Sequence, residues 1–350
     1  MDTYYYNIAD LLDIEKGETI ILSSNLSLLM YQTAKQGIDF NFNKLIDSFI
    51  SRIGCNGNIL LPAYNWDFCG GKTFNYNETL STTGVLANEA MKRNDFTRTK
   101  HPVNSHFVWG KDKDKLTSTD YMSSYGATSI FTELYSYNIK YVFLGVNLTA
   151  FTYLHHFEQE IGVPYRYLKY FTGSYIDRDS SLNNKTYSVY VRRLEDQPNY
   201  HLKDMSSILL QNNAGKEFIY NKIPYYVYDV SKCKQYFYQD ILNNHSYTYM
   251  KFKDGYNPEY QTKNYIHEFA KNNAHKTDLF NILKNEFFGE LVIDNTNNFS
   301  EVFISGKNKN IKHLEYDIKD SVSKLENAII EINDLYNIIN KDVSYKISLI

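Results

Sequence analysis

Short apolar runs alternate with stretches of helical period through the first 170 or so positions of this 350-residue chain. Thr19-Ile20-Ile21-Leu22 reads as a buried strand running into a polar turn, Ser23-Ser24-Asn25. Leu45, Ile46, Phe49, Ile50 and Ile53 then share one stripe of a helix that Gly54 ends. Asn58-Ile59-Leu60-Leu61 reads as a second strand, stopped by Pro62 because proline carries no amide hydrogen. Helical patterns near 84–93 and 128–137 precede a third strand at 140–146. From about residue 175 the period shortens to two. Residues 187–192 and parts of 218–228 alternate, which adds antiparallel strands. Residues 177–185, rich in Asp, Ser and Asn, read as a surface loop. The pattern predicts an α/β fold, a layered α/β/α domain with a mixed sheet.

Past about residue 265 the rhythm breaks into short polar-bounded pieces, at 295–298 and 306–309. Ile318, Val322, Leu325, Ile329, Ile332, Tyr336 and Ile339 then recur at alternating intervals of 4 and 3. The division expected is a domain over 1–265 and a C-terminal extension over 266–350 carrying one long amphipathic helix. That helix either packs on its own domain or joins a second copy as a homodimer contact.

Composition narrows the class. With 33 Tyr, 21 Phe and 43% hydrophobic residues the chain can bury a large core. A formal net charge of -3 gives no bulk reason to expect nucleic-acid binding. Cys55, Cys69 and Cys233 have neither disulfide-motif nor metal-ligand spacing, which fits a reducing compartment. The first residues lack the basic start and apolar run of a signal peptide, and no apolar run reaches the roughly 18 residues of a membrane span. A cytoplasmic protein is expected.

The candidate chemistry lies in Thr152-Tyr153-Leu154-His155-His156-Phe157-Glu158. On a helix His155 and Glu158 share a face one turn apart, and a carboxylate-oriented imidazole is a general base suited to neutral pH. The plain alternative is a surface ion pair. A metal site is disfavoured, since His155 and His156 point about 100° apart and the HExxH order is missing. The second notable stretch, Arg98-Thr99-Lys100-His101-Pro102-Val103-Asn104-Ser105, reads as a rigid loop, in which His101 either bonds its own backbone or meets a ligand. Serines at the strand and helix starts cap or close turns unless something more is asked of them. No GxSxG elbow occurs, and Gly71-Lys72-Thr73 is no phosphate loop because Trp66 stands where a glycine is needed.

In order and spacing these stretches resemble the aminoglycoside 3-N-acetyltransferase family over roughly residues 1–265. The residues that carry the likeness are the Ser23-Ser24-Asn25-Leu26-Ser27 turn, Arg98, His101-Pro102, Ser105, Tyr125-Gly126 with Ser129, and Leu144-Gly145-Val146. Thr152, His155 and Glu158, followed by Val163-Pro164-Tyr165-Arg166, match most strongly. His156, Phe157, Asn25 and His106 depart from the family's usual residues. The resemblance implies transfer of an acetyl group from acetyl-CoA to a sugar amine. It makes His155 the general base and Glu158 its orienting group. It also places Ser23, Ser24, Leu26, Ser105, Tyr125, Gly126 and Ser129 around the acyl donor, and His101 and Arg166 around the acceptor.

An aminoglycoside is a polycation and wants carboxylates around it. The matched region shows no dense acidic run, so an amino sugar, free or nucleotide-linked, is the expected acceptor. Aminoglycoside modification is the alternative within the enzyme class. A non-catalytic binding or assembly protein on the same scaffold is the alternative outside it.

Overall fold

A computed structural model describes residues 4–257 and four short strands beyond them. In chain order α1 (Ile8–Leu11) precedes β1 (Thr19–Ser24), α2 (Ser27–Lys35), α3 (Phe42–Ile53) and β2 (Asn58–Tyr64). Then come β3 (Phe74–Asn75), α4 (Val85–Ala90), β4 (Thr97–Arg98), β5 (Asn104–Gly110), α5 (Lys113–Ser118) and α6 (Ile130–Glu133). The chain continues through β6 (Ile139–Leu144), α7 (Tyr153–Ile161), β7 (Arg166–Ile176), β8 (Leu182–Arg192) and β9 (Asn199–Tyr200). It goes on with α8 (Lys203–Gln211), β10 (Gly215–Tyr220), β11 (Ile223–Asp229), α9 (Val230–Asn244) and β12 (Met250–Lys251).

Seven strands form the main sheet in the order β10-β11-β6-β1-β2-β5-β4. The centre, β6-β1-β2, is parallel and the flanks are antiparallel, so the sheet is mixed. Alternate residues of the central strands feed two separate cores, as a pleated strand must. Ile21, Leu60, Tyr141 and Phe143 pack with Tyr153, Leu154 and Phe157 of α7 and Phe237 of α9. Ile20, Leu22, Ile59, Leu61, Val142 and Leu144 pack on the other side with Leu45, Ile46, Phe49 and Ile53 of α3. Helices therefore cover both faces, the layered α/β/α arrangement.

Local chemistry explains the elements. Asn41 caps α3 by accepting the Lys44 amide at 3.0 Å, and Gly54, at φ 72°, turns the chain out of it. Contrary to expectation, β2 runs through Pro62 to Tyr64. Pro62 faces His106, whose own N–H and C=O are both spent on Thr99, and the ladder to β1 has already ended at Leu60. No partner at Pro62 misses a hydrogen bond. The expected loop at 177–185 is also shorter than read, because β8 begins at Leu182 and pairs with Ile176 of β7.

At the C-terminal edge of β6 the chain crosses the turn after β1 closely. Asn25 N–H donates to Leu144 O at 2.8 Å, and a Cβ on Gly145 would stand 2.4 Å from Asn25 O. Gly145 also sits at φ 63°. Only glycine satisfies both conditions comfortably.

In the extension read as helical, the described pieces are strands: β13 (Glu290–Asp294), β14 (Ser300–Ser305), β15 (Ile311–Tyr316) and β16 (Ser348–Leu349), in the order β15-β14-β13-β16. The heptad-like run from Ile318 to Ile339 and the expected boundary at 265 lie outside the described residues.

Candidate active site

The parallel strands β1, β2 and β6 end on one edge, where ligands of open α/β sheets characteristically bind. Tyr141 of β6 is within 3.4 Å of Ser23 Oγ and within hydrogen-bonding reach of Thr152, just ahead of α7. That contact ties the start of α7 to the strand ends and presents its first turn, with His155, at this edge.

His155 Nδ1 stands 3.0 Å from Glu158 Oε2. The His155 side chain keeps 23% of its exposure, while that of Glu158 keeps none. A bare carboxylate at zero exposure would be costly, so its partners matter. Arg166 Nε approaches Oε2 at 2.7 Å, as an ion pair without a hydrogen-bonding angle. Tyr165 donates to Oε1 at 2.9 Å, and the Tyr200 hydroxyl lies 3.1 and 3.0 Å from the two oxygens. Burial by itself would raise the Glu158 pKa. Arg166, His155 and Tyr165 outweigh it and hold the carboxyl below its ordinary value. Glu158 is an ionised carboxylate.

Two donors compete at His155 Nδ1. Arg166 Nη2 lies 3.0 Å from it and Tyr200 OH lies 3.2 Å from it. An ionised Glu158 can only accept, so Nδ1 must carry the proton toward it. Arg166 Nη2 then directs its hydrogens to the Tyr200 hydroxyl, which it also contacts. The lone pair is left on Nε2, the nitrogen away from Glu158. Burial first, then the Arg166 charge, pushes His155 down to about 4 against the pull of Glu158. The imidazole is therefore neutral at physiological pH. The Tyr125 ring stands edge-on to it with centroids 5.3 Å apart.

The other expected site residues divide. Arg166, expected at the acceptor, is buried, with Nη1 on Tyr190 O at 2.5 Å, and serves the Glu158 cluster. His101, also expected there, is buried. Its Nδ1 accepts the Val103 and Asn104 amides at 3.2 Å each and its Nε2 meets Ser124 Oγ at 3.2 Å, so it organises its own loop. Ser105 is fully buried, donating to Ala63 O at 2.8 Å and accepting from Arg98 Nε at 2.9 Å. Ser129 caps α6, accepting the Thr132 amide, and Leu26 belongs to the core on the α3 side. The Gly126 amide donates to Ser123 Oγ at 2.8 Å. Ser23 and Ser24 keep partial exposure at the strand ends. His101 and Ser129 thus make the contacts that the turn and capping alternatives describe, while Ser105 ties β5 to β2 and to Arg98.

Sequence reasoning missed Tyr200 and the role of Tyr165. Tyr165 stood inside a quoted motif. Tyr200 had no signal, being one tyrosine among 33.

The sequence model of the aminoglycoside 3-N-acetyltransferase family matches residues 33–238, more than half of the chain. The chain belongs to that family. It is an N-acetyltransferase. Among solved structures, AAC-IIIb bound to CoASH superposes with a TM-score of 0.57 at 15% identity, over 70% of this chain and 97% of that one. The YokD protein from Bacillus subtilis gives 0.55 at 19% identity, over 69% and 98%. AAC-VIa bound to sisomicin gives 0.56 at 15%, over 70% and 97%. At such identities the likeness is one of fold. A comparison with curated proteins finds no match. Among the described residues no helix is long and apolar enough to cross a membrane.

Proposed function

We propose that this acetyltransferase acetylates the amine of an anionic amino sugar, nucleotide-linked, with His155 as general base and Glu158 as its orienting carboxylate. The observation that carries the base assignment is the Nδ1–Glu158 contact at 3.0 Å, on a ring that keeps partial exposure. A neutral imidazole with Nε2 free accepts the proton that the nitrogen sheds as it attacks the thioester carbonyl. Ionised Glu158 then stabilises the imidazolium. A base held near 4 is too weak to strip a resting ammonium. It suits the far more acidic nitrogen formed after attack. The partly exposed Ser23–Ser24 end of β1, just ahead of α2, is the part of the β1 edge suited to the polar groups of acetyl-CoA.

The acceptor class follows from charge. The charged groups acting most strongly on His155 are Arg166, Glu158 and Arg192. The one carboxylate among them is already satisfied by Arg166 and two phenols, and Arg192 is exposed. A polycation would meet net positive charge there, whereas a phosphate-bearing acceptor would find a partner. The binding of sisomicin by AAC-VIa favours the second reading, an aminoglycoside acceptor. The deciding experiment measures release of free CoA from acetyl-CoA with nucleotide-linked amino sugars and with aminoglycosides, side by side. Turnover of the first group supports the proposal, and turnover of aminoglycosides alone overturns it.

A further inference from the structure

The family match ends at residue 238, yet the support of Glu158 does not. Behind Tyr165 lie two more hydroxyls from the turn after α9. Ser246 Oγ is 3.0 Å and Tyr249 OH is 2.8 Å from Tyr165 OH, and they stand 3.1 Å from each other. All three residues are buried. Tyr165 commits its proton to Glu158 Oε1, so its oxygen accepts from the Tyr249 hydroxyl, and the two protons run toward the carboxylate while Ser246 Oγ closes the triangle as an acceptor within reach of both phenols. Such a chain of donors strengthens its last bond and holds an anion in place.

The same turn reaches the site by a second route. Met250 pairs with Tyr200 across β12 and β9, His201 N–H donates to Tyr249 O at 2.7 Å, and the Tyr200 and Tyr249 rings are nearly parallel at 6.4 Å. Both phenols that close on Glu158 are therefore mounted on one segment. Its backbone is unusual, with consecutive non-glycine residues at positive φ, His245 at 51° and Ser246 at 69°. Left-handed residues of this type persist where surrounding structure over-determines them, and they gather at functional sites.

We propose that Ser246 and Tyr249 are positioning residues for the acetyl-transfer base: through Tyr165 and Tyr200 they fix the Glu158 carboxylate that orients His155. The inference rests on the assignment of His155 as base, and the test separates the two. Ser246→Gly removes the hydroxyl while suiting the left-handed backbone, and Tyr249→Phe removes a hydroxyl while keeping the ring. Both are assayed in the full chain with acetyl-CoA and the best acceptor of the panel above, beside His155→Ala. The expected result is a fall in kcat of up to about tenfold in each positioning variant, the effect of losing one neutral hydrogen bond behind the Tyr165–Glu158 contact. KM for acetyl-CoA and for the acceptor should stay within about twofold, the melting temperature should hold, and the acid limb of the kcat profile should move to higher pH as the Tyr165 bond to Glu158 weakens. An unchanged kcat, a rise in KM alone, or a loss of activity that tracks a loss of melting temperature overturns the positioning role. Full activity in His155→Ala overturns the base assignment itself, and the positioning role with it.

Discussion

His155 is a residue whose environment works against its charge. Burial and the Arg166 guanidinium keep it neutral down to about pH 4, while Glu158 fixes which nitrogen holds the proton. The pH dependence of turnover follows. With the proposed base already unprotonated at pH 5, kcat/KM should show no enzyme inflection near 6.5 and should rise with the free-amine fraction of the acceptor. A pH series from 5 to 9 with two acceptors of different amine pKa checks this. If the rise stays put when the acceptor changes, a group on the enzyme is titrating instead. Replacing His155 by Ala should lower kcat by about 10²–10⁴, the usual worth of a positioned base. His156, one residue on, faces the other way: its Nδ1 holds Tyr125 O at 2.7 Å, and so steadies the loop whose ring packs on His155. Adjacent helical residues diverge by about 100°, which is why the HH pair could never be one site.

Among the elements, those with a one-sided apolar pattern were legible in the sequence. The α3 stripe at Leu45, Ile46, Phe49 and Ile53 is buried as its spacing predicts, and β1 and β6 read as strands because both of their faces are covered. The start of β8 was illegible for the opposite reason. Leu182, Asn183 and Asn184 are exposed in the ribbon with β7, so backbone pairing makes them a strand and no burial pattern records it. Pro62 misled because its meaning depends on what lies beside it, and its neighbour His106 bonds elsewhere. Gly145 gives the element-scale prediction. In Gly145→Ala the backbone at φ 63° costs about 1–2 kcal/mol, and the new Cβ presses on Asn25 O at 2.4 Å, adding to that loss. Urea unfolding should show a lower midpoint with an unchanged slope, and an unaltered midpoint would refute the close-crossing argument.

Over the whole molecule, buried neutral histidines set the response to acid. Burial is the leading cause that pushes His101, His155 and His156 to about 4 and His106 to about 3. Unfolded, each takes up a proton near its ordinary value of 6.5. Between these values the unfolded chain binds more protons than the folded one, so stability is complete above about 6.5 and declines as pH falls toward 4. Each histidine adds a slope of up to about 1.4 kcal/mol per pH unit inside that window. Denaturant midpoints at pH 7.5, 6 and 5 should fall in that order, and equal midpoints at pH 7.5 and 5 would contradict the burial of these rings as neutral groups.

What the sequence determined by itself was local and periodic. Helix geometry sets His155 and Glu158 on one face whatever surrounds them, and the alternation of apolar strands with helices demanded a covered sheet. Strand order, by contrast, is a property of the folded whole. Arg166 at the start of β7, Tyr200 on β9, and Ser246 and Tyr249 beyond α9 meet around one carboxylate only because the sheet and ribbon bring those segments together. No spacing along the chain encodes a contact among residues 158, 200 and 246. Tertiary structure alone turned a common helical pair into a buried, ionised and fully partnered carboxylate, because its charge can survive without water only where donors from several separate elements converge.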